Sequence, residues 1–496
     1  TRMAEAMVDM TGLPNALLQP PSKQDYEAET LQVDRMMAEC EFSRRFVTQE
    51  RQLAAQYADM YFIRLNTLKK GLVDVAQRKW QDRGQYASRI LELEVGKKSL
   101  AVGTVLKEMK LRPNILDKYN GKDVSAAEGL HASNLVSEDD TAVIEDESGR
   151  LTMILNAPGV ATTQELVTGQ IIAVLGTLQE DGQFQVEDIC YPGPPPQCSA
   201  GFPNEDVSIL LVSGLDLGNP NSDPLASEML VDYVTGNLGG EGDYKEASRI
   251  AKVVIAGGSC YSVKDTSNFS AKQKHSQGKE DAQGKENLSA QQRAMTSPVK
   301  ELDMLLTRLC SSVAVDLLPG ASDPCNAFLP QQPFHQCLLP SANMYSTFRA
   351  VTNPYEATVV TGSGDEMQTD EAKGVVVMGS SGQNVEDVLR YSSISGGLDV
   401  LEGMLQWRHL APTAPDTLSC FPMRDDDPFI LQKCPHIFFA GGQNEFGSRI
   451  VHGADGQKSL VVTVPSFATS RTAVLVNLKT LEAEPVSFCT DAFQQG

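Results

Sequence analysis

Five glycine-bearing stretches carry the residues whose types and spacing could do chemistry. They are Ser213-Gly214-Leu215-Asp216-Leu217-Gly218, Ala256-Gly257-Gly258-Ser259, Pro319-Gly320-Ala321-Ser322-Asp323, Gly379-Ser380-Ser381-Gly382-Gln383-Asn384 and Ala440-Gly441-Gly442-Gln443-Asn444. Each is a strand-to-turn junction, and α/β folds bind their ligands at the carboxyl ends of strands. Metal-assisted cleavage of a phosphate ester at such a place needs carboxylates and imidazoles that hold two ions about 3.5–4 Å apart. Asp216 and Asp323 are the carboxylates on offer. Together they could hold one weak cation, but an Asp in or before a turn more simply caps the backbone. The six histidines (His131, His275, His335, His409, His436 and His452) all fall outside the five junctions. No catalytic, cofactor-binding or metal-ligating residue is assigned, and no cofactor is expected.

Other chemistry has weaker support. Gly257-Gly258 and Gly396-Gly397 do not make a nucleotide loop, and no Gly-x-x-x-x-Gly-Lys-Ser/Thr is present. No Gly-x-Ser-x-Gly stands on a strand-to-helix elbow with a histidine to serve it. The ten cysteines form no Cys-x-x-Cys pair, so a zinc or iron–sulfur site inside the chain is not expected, and free thiols in a reducing compartment are.

The elements that position the junctions follow from periodicity. Residues 1–42 are mixed and polar, and read as a mobile arm or a short packed one. From Phe42 to about Trp80, apolar residues recur at three and four positions, as on a helix, with a possible break at Gly71. From Ser99 to Cys190 the period changes to strands. TAVIEDESGRLTMIL reads as a hairpin, and VTGQIIAVLGTLQEDGQFQVEDICY as a second, turning at Asp181-Gly182. Short strands joined this way suggest a small closed barrel, for which the OB-fold is one candidate and an unspecific β-sandwich the plain alternative. PGPPPQ, at 192–197, is a stiff linker and a domain boundary. Beyond it strands and helices alternate, as in an α/β domain, and the tail returns to strands. Residues 262–300 are polar and low in hydrophobics, and read as a loop or disordered insert. Within it Thr296-Ser297-Pro298, with Lys300, has the form of a proline-directed kinase site. ELDMLLTRLCSS then places Leu302, Leu305, Leu306 and Leu309 on one helical face.

At 496 residues the chain is long enough for two or three domains, and 41% hydrophobic with 21% charged residues is the balance of a soluble globular protein. No apolar run approaches the roughly 20 residues of a membrane span. The opening TRMAEAMVDM has no basic start and apolar run, so no secretory signal is expected. A net charge of −22 disfavours broad direct contact with nucleic acid. Short basic clusters (Arg44-Arg45, Lys69-Lys70, Lys97-Lys98) leave a local strip possible. The barrel strands offer few aromatics for stacking single strands, Phe184 and Tyr191 among them.

The order of the five junctions resembles the calcineurin-like metallophosphoesterase fold. Active members carry Asp-x-His-x-Gly, Gly-Asp, Gly-Asn-His-Asp, a His-Gly pair and Gly-His-x-His at these places. Set on that pattern, Gly214, Asp216, Gly258, Ala321, Ser322, Ser381, Gly442 and Asn444 stand where ligands belong. Asp323 is kept, as are the turn glycines Gly218, Gly257, Gly320, Gly382 and Gly441. Longer stretches, among them LPQQPFHQCLLP, VTNPYEATV, SGQNVEDVLRYSS, RHLAPTAPDTLSCFP and DPFILQKCPHIFFAGG, resemble the regulatory (B) subunits of DNA polymerase delta over roughly residues 42–490.

That resemblance implies an OB-fold β-barrel (with the helical segment, 43–195) followed by an inactivated two-sheet α/β phosphoesterase domain (196–496). It implies a non-catalytic, nuclear accessory subunit in DNA replication and repair synthesis. Such a subunit binds the C-terminal cysteine-rich domain of the catalytic subunit and a third accessory subunit, and through them the sliding clamp and DNA. The alternatives are an active, divergent metal-dependent phosphodiesterase or nuclease, and the equivalent subunit of polymerase alpha or epsilon.

Overall fold

The computed structural model describes residues 34–48, 55–81, 83–112, 134–261, 282–360 and 374–489; for Glu241 and for 282–295 it describes the backbone alone. The first α-helix, α1, runs Tyr57–Trp80 without a break at Gly71, which is exposed. Leu65, Leu68, Leu72, Ala76 and Trp80 form its buried stripe. They pack against Leu100, Val102, Ile171, Ala173 and Leu175 of a small sheet.

That sheet contains β2 (Gln85–Tyr86), β3 (Lys98–Glu108), β4 (Thr141–Glu145), β5 (Arg150–Ile154), β6 (Ile171–Leu178) and β7 (Phe184–Cys190). The pairing order is β2-β3-β4-β5-β7-β6, and β3 also pairs β6, from Lys98↔Thr177 to Thr104↔Ile171. The sheet therefore closes on itself, as the two hairpins predicted. Asp146 builds the first turn, accepting from the amides of Ser148 and Gly149.

The second part is two sheets face to face. One orders β11 (Phe348–Ala350), β10 (Ala314–Leu318), β9 (Ile250–Ala256), β8 (Ser208–Val212), β17 (Thr472–Asn477) and β18 (Glu482–Ser487). The other orders β1 (Glu39–Phe42), β12 (Tyr355–Val360), β13 (Val375–Ser380), β14 (Ile437–Gln443), β16 (Lys458–Pro465) and β15 (Gly447–His452). Alternation along β8 shows the layering. Ile209 and Leu211 enter the core between the sheets with Val377, Phe439 and Val462. Leu210 and Val212 face the helices α2 (Pro224–Thr235) and α4 (Ala282–Cys310). On the far side α5 (Gln383–Tyr391) and α6 (Gly397–Trp407) cover the second sheet. A strand apolar on both faces is what this α/β/β/α sandwich requires. Between β8 and β9 lies α3 (Glu241–Arg249).

The last part of the arm takes the packed alternative, and the insert differs from expectation. The arm is held from residue 34 onward: Arg35 donates to the carbonyls of Ile250 (2.9 Å) and Val234, and β1 adds to the edge of β12. The reason is that β12 is an edge strand, whose unpaired amides and carbonyls take a partner. Residues 1–33 lie outside the described residues. The polar insert is also shorter than expected, because 282–300 are the first part of α4, while 262–281 lie outside the described residues. Among the described residues no helix is long and apolar enough to cross a membrane.

The two parts are joined by buried polar contacts. Arg64 of α1 is wholly buried and donates to Asp427 Oδ2 (2.8 Å) and to the carbonyls of Pro412 (2.9 Å) and Ala414 (2.8 Å). Lys107 of β3 donates to the Tyr391 carbonyl (2.9 Å), and Asn134 to those of Leu389 and Ser392, so the barrel caps the C-terminus of α5.

Candidate functional site: the convergent strand ends

All five junctions meet at one place. Gly214 N–H and Asp216 N–H donate to the Gly257 and Gly258 carbonyls, each at 2.9 Å. Ser213 Oγ donates to the Ala256 carbonyl (2.7 Å) and accepts from Gly442 N–H (2.8 Å). The first, second and fifth junctions are thus stitched through their backbones and one hydroxyl.

Glycine makes this approach possible. At Gly257, φ is +71°, and a Cβ there would stand 2.5 Å from Ser381 Cβ and 2.9 Å from Gly320 Cα. Gly441 lies against Ser213 Oγ and the Ala256 carbonyl so closely that no side chain fits. At Gly257 only glycine meets both the left-handed backbone and the lack of space. The space that side chains would line in an open site is taken by main chain.

Asn353 links the fourth junction to the third. Its Nδ2 reaches Ser381 Oγ (2.7 Å), Gln331 Oε1 (2.8 Å) and Gln383 Oε1 (3.1 Å), and its Oδ1 accepts from Ser381 N–H (3.1 Å). Gln331 Nε2 donates to the Gly320 carbonyl (3.1 Å). Sequence reasoning assigned Asn353 and Gln331 no role at the junctions. They belong to the stretches VTNPYEATV and LPQQPFHQCLLP, and only the fold brings them there.

Asp323 is the buried carboxylate of the site. Oδ2 accepts from Gly320 N–H (2.7 Å) and Oδ1 from Cys260 N–H (2.9 Å), so it ties the third junction to the end of the second. Burial pushes its carboxyl up to about 6, against the pull of these amides. The adjacent Cys325 thiol is pushed up to about 12 by burial, with Asp323 adding to it. Asp216 Oδ2 accepts from Asn219 Nδ2 (2.5 Å) within its own turn. The pair therefore shapes turns, as capping predicts. Among the described residues no three His, Cys, Asp or Glu side chains come together as a metal would need.

The histidines lie elsewhere. His409 is buried against Asp427 (3.0 Å), His436 accepts from Val376 N–H (2.9 Å), and His335 and His452 are exposed; His131 and His275 lie outside the described residues. Phe184 is buried in the barrel core and Tyr191 is half-buried, so neither offers an open stacking face. Arg45 donates to the Pro428 carbonyl (2.7 Å), Lys97 pairs with Glu94 (2.5 Å) and Lys98 with Glu187 (2.5 Å).

Two family models match the chain's sequence. Residues 56–189 match the OB-fold domain of DNA polymerase delta subunits, and residues 209–448 match the B subunits of DNA polymerases alpha and epsilon. The class is therefore that of the B-type accessory subunits of DNA polymerases. The chain is 38% identical over 441 residues to the DNA polymerase delta small subunit of Oryza sativa subsp. japonica, covering 89% of this chain and 95% of that one. It is 30% identical over 482 residues to the small subunit of Saccharomyces cerevisiae, covering 88% and 90%. The chain belongs to the DNA polymerase delta small subunit family, whose work is DNA replication. The purple acid phosphatase PPD1 of yellow lupin aligns at 9% identity and a TM-score of 0.26 over 70% of this chain and 69% of its own, too slight a likeness to argue from.

Proposed function

We propose that this chain is a non-catalytic scaffold of the DNA polymerase delta holoenzyme, built on a calcineurin-like phosphoesterase fold that has lost its metal ligands. One observation carries the reading: the five strand ends close on one another through glycine backbone, and the buried carboxylate among them, Asp323, is held by two amides. Two-metal hydrolysis needs an open set of carboxylates and imidazoles at that place.

The chain divides near residue 195 into a helix-plus-barrel domain and the sandwich. On this proposal it holds the C-terminal cysteine-rich domain of the catalytic subunit and bridges it to a third accessory subunit in the nucleus, with the sliding clamp and DNA reached through those partners. The net charge of −22 supports contact with protein before contact with DNA. Tagged chain recovered from its own cells, with the copurifying proteins identified by mass spectrometry, tests this. The polymerase delta catalytic subunit is expected in near-equal amount; recovery without any polymerase large subunit overturns it.

A further inference from the structure

Helix α4 contains a proline in its interior, Pro298, directly after the exposed Ser297. Proline has no N–H, so the helix lacks its bond to the carbonyl four residues back and is weakest there. From Pro298 onward the described side chains of α4 are anchored. Pro298 is buried against Gly218 of the first junction, Val299 packs on the core, and Leu302, Leu305, Leu306 and Leu309 are buried. Ser followed by Pro is also the residue pair that starts helices, Ser as N-cap and Pro as first residue. Residues 298–310 can thus stand as a helix in their own right, with Ser297 as a latent start.

We propose that Ser297 is a phosphorylation site for a proline-directed protein kinase, and that the phosphate moves the start of α4 from Ala282 to Pro298. The run Ser297-Pro298-Val299-Lys300 has the serine, the following proline and the basic residue that such a kinase reads. The kinase supplies MgATP. The Ser297 Oγ–phosphorus bond forms as the bond from the γ-phosphorus to the bridging oxygen of ADP breaks. ADP keeps that electron pair, and the hydroxyl proton passes to the kinase's base.

In the continuous helix Ser297 Oγ donates to Glu301 Oε1 at 3.1 Å. Phosphorylation removes that donor and sets a charge of about −2 beside the carboxylate. In a helix that starts at Pro298 the same phosphate sits at the N-cap, where free amides and the positive end of the helix dipole favour it, with the Lys300 ammonium three residues on. The modification therefore stabilises the short helix and disfavours the long one, releasing 282–296. Opening at this weak point also gives the kinase the extended Ser-Pro it needs.

The test uses the full chain, a purified proline-directed Ser/Thr kinase and MgATP. Phosphopeptide mapping is expected to place one phosphate on Ser297, lost in Ser297→Ala. Amide exchange across 282–296 should then speed up by about tenfold or more while 302–310 stay protected. Ser297→Glu, made without kinase, should give part of the same speeding. No incorporation at Ser297 in the folded chain overturns the site. Phosphate on Ser297 with exchange across 282–296 unchanged overturns the switch.

Discussion

Arg64 and Asp427 meet at 2.8 Å with both side chains wholly buried, although 363 positions separate them in the chain. The guanidinium also holds two carbonyls of the loop 412–414, and His409 holds the same carboxylate oxygen. Burial pushes Asp427 up, but Arg64 and His409 overcome it and hold the carboxyl far below the usual range. This cluster fastens the helix-plus-barrel to the sandwich.

Breaking one member strands the others. Arg64→Met is expected to destabilise the chain by about 3–5 kcal/mol, because Asp427 keeps a buried charge without its main partner. The double variant Arg64→Met/Asp427→Leu should cost less than the sum of the two singles. Urea unfolding of the four proteins measures the coupling.

Acid should act through two groups of opposite sign. Burial, aided by the Arg64 charge, lowers the His409 imidazole from 6.5 to about 4. Between those values the unfolded chain binds more protons, so this group takes away about 3 kcal/mol as pH falls. Asp323, raised by burial from 3.8 to about 6, binds its proton better when folded, and its contribution is regained as pH falls through 6. His409→Gln should therefore flatten the loss of stability between pH 7 and pH 5, and Asp323→Asn should steepen it. Urea midpoints at the two pH values decide; equal slopes in all three proteins would refute the assignment.

The junctions should tolerate no side chain. Gly257→Val is expected to cost about 3 kcal/mol or more, from the left-handed backbone and the contacts with Ser381 and Gly320 together. Gly96→Ala is the control, since φ there is +74° but nothing lies within 4 Å. It should cost only the backbone part, about 1–2 kcal/mol. Thermal unfolding compares them.

Asp323 should matter for stability and not for turnover. Asp323→Ala leaves two buried amides without an acceptor and should cost about 2 kcal/mol. With manganese and bis(p-nitrophenyl) phosphate the purified chain should show no hydrolysis above buffer, before or after the change. Turnover that is present and then lost on Asp323→Ala would restore the hydrolase reading.

Strand β1 should prove structural. The Phe42 ring lies 4.1 Å from the Arg349 guanidinium and 5.1 Å from the Lys252 ammonium, whose partner Asp316 is buried at 2.7 Å. Phe42→Ala should cost about 2–3 kcal/mol by guanidinium unfolding and uncover this ion pair.

What the sequence determined by itself was local. The apolar run SILLV before its glycine turn, the leucine face of ELDMLLTRLC and the hairpin turn at Asp181-Gly182 each depend on neighbours within a few residues, so these elements were legible. So was the poverty of the five junctions in ligand side chains, because residue types can be read without a fold. The tertiary structure alone decided the rest. That β1 has an edge to join, that Asn353 and Gln331 link the third and fourth junctions, and that Arg64 finds Asp427 all depend on residues tens to hundreds of positions apart. Such pairings leave no period along the chain. They form because a buried charge or amide must find a partner once water is gone, and packing of the whole molecule settles which partner is within reach.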